Sequence, residues 1–216
     1  MSKRGFFQLL GGFLGIESAD SKRKKAFMEL SDALVQEVRD FKVPLISVEQ
    51  KEFELLSLKQ DILQKPRRRK SKVLQFNNIY HEPVFVSIEK AVDRYIGDAA
   101  LKVFSKSGVY TFWIRPDYVS IWNGKDFWGN LMPDGRFVFK NNKVVGQVKT
   151  NHNHKRLEVW VSEQLQVAID LTQRDIKDST RALSYAYFST DSAYELSAML
   201  ALFILANPDA GFKFTF

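Results

Sequence analysis

The chain has no cysteine, and only 3 histidines and 6 prolines among its 216 residues. Without cysteine there are no disulfides, no thiolate nucleophile and no thiolate metal site, a composition that fits a reducing compartment. No Gly-x-Ser-x-Gly nucleophile elbow occurs. The clustered Gly11, Gly12 and Gly15 lack the preceding strand and following Lys-Ser/Thr of a phosphate loop. No predominantly apolar run reaches the roughly 18 residues expected of a membrane-crossing helix. The reading is therefore of a non-enzymatic chain, with no catalytic residue, metal ligand or cofactor assigned.

What the chain does have is one strongly apolar stretch, residues 193–206, reading AYELSAMLALFILA. Only Glu195 and Ser197 interrupt it, so no face of such a helix could rest in water. Ser192 and Glu195 have capping-box spacing at its start, and Asn207-Pro208 ends it. At 1.5 Å per residue it is about 20 Å long, too short for a bilayer core of about 30 Å. The expectation is a helix buried inside the protein.

The net charge of +7 is unevenly spread. Residues 1–72 hold 16 Lys or Arg against 10 Asp or Glu, while residues 73–216 are nearly balanced. The cations concentrate in Lys22, Arg23, Lys24 and Lys25, and again in Arg67, Arg68, Arg69, Lys70 and Lys72. A localised basic segment suits a polyanion, either an anionic membrane surface or nucleic acid, or else a solvated face with no partner. Ahead of them, Phe6, Phe7, Leu10 and Phe13 could form the apolar side of an interfacial helix with Lys3 and Arg4 near lipid phosphates. The three glycines weaken that helix, and no small-x-small cleavage site of a secretory signal is evident before Glu17.

From Asp20 to Phe41, the residues Phe27, Leu30, Leu34, Val38 and Phe41 recur at spacings of three and four, which predicts a helix with one apolar side. That side could also be offered to a protein partner. Residues 47–63 are ambiguous between helix and strand. After Lys72 the pattern changes to short alternating segments separated by turn dipeptides such as Asn123-Gly124 and Asp134-Gly135. Strands are expected at 73–76, 84–88, 101–104, 109–115, 118–122, 126–132, 136–140, 143–149, 156–163, 165–171 and 182–188, with room for a short helix at 92–95. A sheet of so many strands must curl or close. The fold class expected is mainly β (α+β): a closed antiparallel barrel of about twelve strands filled by the C-terminal helix. The organisation follows as an N-terminal helical arm, residues 1–45, and a barrel domain, residues 46–216.

His152 and His154 make a His-x-His, a spacing that on a strand would let both rings meet one metal. Their neighbours Asn151, Asn153, Lys155 and Arg156 instead indicate a cationic hairpin tip. His81, ahead of Glu82-Pro83, reads as a turn residue. Trp113, Trp122, Trp128 and Trp160 could stack unpaired bases, yet on barrel strands they more often build core and wall.

The strands from about Glu52 onward, the block DGRFVFKNNKVVGQV at 134–148 and the terminal apolar helix together resemble the Tubby C-terminal-like superfamily. That superfamily includes the phospholipid scramblases and the plant LURP-one-related proteins. FELLSLKQ at 53–60 and IYHEPV at 79–84 are similar to uncharacterised bacterial members. The resemblance spans roughly residues 47–206 and rests on element order and a loose Asp-Gly…Gly spacing. It implies a barrel around a buried helix and a lipid- or membrane-surface-binding module rather than a catalyst, with scramblase-like lipid transport as a remote case. Tubby binds phosphoinositide head groups through basic residues, none of which aligns with particular positions here. Scramblases carry a palmitoylated cysteine cluster, and this chain has none. The location expected is cytoplasmic, peripheral on the inner membrane face, with nucleic acid or a protein scaffold role as alternatives.

Overall fold

The computed structural model describes residues 19–47, 56–67, 70–93, 95–153, 156–170 and 192–206. Within them, α1 (Ala19–Arg39) precedes eleven strands: β1 (Leu56–Gln64), β2 (Lys72–Asn78), β3 (Pro83–Asp93), β4 (Asp98–Phe104), β5 (Val109–Ile114) and β6 (Val119–Asn123). Then come β7 (Asp126–Leu131), β8 (Arg136–Phe139), β9 (Val144–Asn151), β10 (Arg156–Val161), β11 (Gln164–Asp170) and finally α2 (Ser192–Ala206). Each strand pairs with its neighbours in sequence, giving an antiparallel meander in the order β1 to β11.

The strands alternate as a two-sided sheet requires. On β5, Tyr110, Phe112 and Ile114 point into one apolar cluster, while Trp113 points into another on the opposite face. The first cluster takes buried side chains from all eleven strands together with Leu196 and residues 198–206 of α2. In this run of α2 no residue is more than 6% exposed, which bears out the expectation of an interior helix. Phe203 meets Phe112 with ring centroids 5.1 Å apart.

The helix touches β4 on one side and β10 and β11 on the other. In a flat sheet β4 and β10 would lie about 29 Å apart, far more than a helix diameter of about 10–12 Å. The sheet must therefore curl around α2. Among the described residues no ladder joins β11 back to β1, so closure by hydrogen bonds is not part of the observed architecture. The strand expected at 182–188 lies outside the described residues.

On the convex face, α1 packs over β3 and β4. Its Phe27 and Leu34 are fully buried, and Leu30, Val38 and Phe41 pack partly buried against the same outer cluster. Phe27 is sandwiched between Trp113, at 4.9 Å, and Trp122, at 5.4 Å. The apolar side read from the sequence is thus occupied by the protein's own sheet.

Two local expectations need adjustment. Of the ambiguous stretch 47–63, the part from Leu56 forms strand β1, paired to β2 through irregular register, and residues 48–55 lie outside the described residues. The short helix expected at 92–95 is not formed: Ala91 still pairs with Ala99, and β3 continues to Asp93. There Asp93 Oδ1 accepts the backbone N–H groups of Tyr95 and Ile96, and Gly97 takes φ +81°. An aspartate that captures the next amides makes a turn rather than a helix.

Candidate anion-binding rim

Because the sheet is a strict antiparallel meander, alternate connections share one end. The β1–β2, β3–β4, β5–β6, β7–β8 and β9–β10 connections lie together there, and α1 reaches the same rim at two places. At its start, Asp20 Oδ1 accepts Arg115 Nη2 at 2.6 Å, beside the β5–β6 turn. Arg23 grips Asp98, the first residue of β4, at 2.6 Å. Further along, Glu37 accepts Ser71 Oγ at 2.8 Å and Gln64 Nε2 at 3.0 Å, at the base of the β1–β2 loop.

Two groups of cations follow from this anchoring. Lys22, Lys24 and Lys25 are exposed on the first turns of α1. Lys65, Arg67 and Lys70 are exposed in the β1–β2 loop, with Lys72 half-buried at the start of β2. The 14 positions from Arg23 to Glu37 separate the groups by about 21 Å of helix. Arg67 and Lys70 close the loop with reciprocal backbone hydrogen bonds of 3.2 and 3.3 Å. Between the groups, at the β3–β4 turn, stand Tyr95, fully exposed, and Ile96, 43% exposed. Three carboxylates near this rim are engaged: Asp98 by Arg23, Asp134 by Arg136 at 2.6 Å, and Asp93 by its turn. Asp117 is exposed, as are Glu29 and Asp32 on α1 and Asp40 just after it.

Glu37 is the electrostatic clasp of the loop. Burial pushes its carboxyl up, but the hydrogen bonds from Ser71 and Gln64 and the charge of Lys90 outweigh that and hold it below the usual range. Lys90 Nζ lies 3.7 Å away. Beside the β5–β6 turn, Arg115 donates to Tyr118 Oη and lies over the Trp113 ring, 4.4 Å from its centroid. Burial raises the Tyr118 phenol, with Arg115 opposing.

Of the basic residues picked from the sequence, Lys22, Lys24, Lys25, Arg67 and Lys70 reach solvent on one rim, and Lys72 does so in part. Arg23 is spent on the buried Asp98. Arg68, Arg69, Phe6, Phe7, Leu10 and Phe13 lie outside the described residues. His152 sits at an exposed hairpin tip, and His154 is outside the described residues. His81 takes φ +65° in the β2–β3 turn. No group of three His, Cys, Asp or Glu that could hold a metal occurs among the described residues. Trp113 and Trp122 belong to the α1 interface, and Trp128 packs on Phe139.

Sequence reading missed the buried polar groups beneath α1. Lys102 is 93% buried, or 7% exposed, and its Nζ donates to Thr111 Oγ1 at 3.0 Å. Burial lowers its amine, with Asp32 opposing. The signal was present in DAALKVF, where a lone lysine stands in an otherwise apolar strand. No helix among the described residues is long and apolar enough to cross a membrane. Comparison with protein-family models, curated proteins and solved structures finds no match to this chain.

Proposed function

We propose that the protein is a non-enzymatic module of Tubby C-terminal-like type whose cationic rim docks on anionic membrane surfaces. In this reading the curled sheet completes a closed barrel of about twelve strands around α2. The observation that carries it is the exposed Tyr95–Ile96 tip between Lys22, Lys24 and Lys25 on one flank and Lys65, Arg67 and Lys70 on the other. An aromatic and an aliphatic side chain can enter the headgroup layer while cations on both sides meet lipid phosphates. Each cation near such a surface adds about 1 kcal/mol. Phe6, Phe7, Leu10 and Phe13, which precede α1 in sequence, would add apolar anchorage beside its basic first turns.

The nucleic-acid alternative draws on the same cations but has weaker support. Of the ring faces on which bases could stack, Trp113 and Trp122 are committed to Phe27, which leaves Tyr95 as the exposed ring at the rim. Co-sedimentation with phosphatidylcholine vesicles, with and without phosphatidylserine, tests the proposal. Pelleting is expected only with the anionic vesicles, to fall with added salt, and to be lost in a Lys22, Lys24, Lys25 triple Glu variant. Equal pelleting with neutral vesicles, or none with either, overturns it.

A further inference from the structure

At the end of the sheet opposite the cationic rim, a cavity of about 220 Å³ opens beside α2. Its walls are apolar and buried: Val84 and Phe85 at the start of β3, and Ala198 and Leu202 one helical turn apart on α2. Its mouth is polar and exposed, formed by Ser47 and by Lys106 and Ser107 of the β4–β5 turn. The segment carrying Ile46 and Ser47 is pinned there, Ile46 N–H donating to Pro83 O at 2.9 Å. Ala198 presents only a methyl group to this space.

A pocket with apolar walls and a cation at its lip selects a molecule of matching polarity. We propose that this cavity binds a single-chain amphiphile with an anionic head, the chain lying against Ala198 and Leu202 and the head beside Lys106. Allowing ~30 Å³ for each methylene-sized group, as for a water molecule, the space holds about seven or eight carbons. The head then reaches Lys106 at the surface. The Ser105 hydroxyl is already held by Ser107 and the Gly108 amide, so it shapes the turn.

The site is separate from the rim described above and does not depend on its role. The tests are isothermal titrations of the full chain with hexanoate, octanoate, dodecanoate, octyl phosphate and octanol. Affinity is expected to rise about fourfold per added methylene up to roughly eight carbons and then to level off. Octanoate and octyl phosphate should both bind, which source fits better being read from their ratio, and octanol should bind more weakly, by up to about fivefold. Lys106→Gln should bring octanoate down to the octanol level. Ser107→Phe at the exposed mouth, and Ala198→Phe in the wall, should each abolish binding. The surface variant keeps the test valid where filling the wall impairs folding. No heat with any amphiphile, octanol binding as tightly as octanoate, or undiminished binding in folded Ser107→Phe would overturn the assignment.

Discussion

Arg23 holds Asp98 by hydrogen bonds of 2.6, 2.7 and 3.0 Å across 75 positions of sequence. The carboxylate is wholly buried, while a quarter of the arginine side chain still meets solvent, 27% by area. The pair fixes the first turns of α1 to the start of β4, and so sets the direction in which Lys22, Lys24 and Lys25 face.

Removing one partner of such a pair strands the other charge in the interior. Arg23→Ala is expected to lower stability by about 3 kcal/mol, because Asp98 loses its cation without regaining water. Arg23→Lys should restore only part of this, since an ammonium cannot make the forked contact. Lys24→Ala, on the exposed side, should leave urea-unfolding midpoints unchanged.

Glu37 gives the protein an acid-side dependence of stability. Its folded carboxyl lies below the ordinary value, so the unfolded chain takes up the proton first as pH falls. The contribution is complete above the unfolded value of about 4.3 and disappears as pH drops through the folded one. A Glu37→Gln variant should show a shallower loss in urea midpoints measured across that window. An unchanged slope would remove Glu37 from the clasp.

Lys102 acts in the same direction at the alkaline end. Its folded amine is lowered by burial, so the unfolded chain binds the extra proton between the folded value and about 10.4. Stability from this group therefore rises with pH across that interval, and the penalty is complete below it. Lys102→Met keeps the stem and removes the charge, and should raise stability at neutral pH by about 1 kcal/mol. A destabilised variant would mean that the Thr111 hydrogen bond outweighs the burial.

Gly129 on β7 takes φ +157°, and a Cβ there would stand 2.1 Å from Val138 O on the adjacent strand. That oxygen belongs to backbone and cannot swing aside. Gly129→Ala should cost more than about 3 kcal/mol, or prevent folding, as read by denaturant titration.

The architecture was legible where periodicity is strong. The run at 193–206 could only be interior, and each alternating segment from 73 to 170 became a strand within a few residues. The short helix at 92–95 was misread because Asp93 captures the amides of Tyr95 and Ile96, a side-chain effect invisible to hydropathy. Charge alone could not tell Arg23 from Lys24, since the difference is made by Asp98, far away in sequence. Nor could it place Lys65 and Tyr95 on one rim. That follows from strand parity, which requires every hairpin between them to be counted correctly.

The order of elements has a consequence for biosynthesis. Neighbouring strands can zip together as each emerges from the ribosome, since every ladder is local. The oily rod against which their inner faces pack comes after all eleven. Until it arrives, the nascent meander has an unfilled hollow, and a chain stalled before residue 192 should be a ready client for chaperones or proteases.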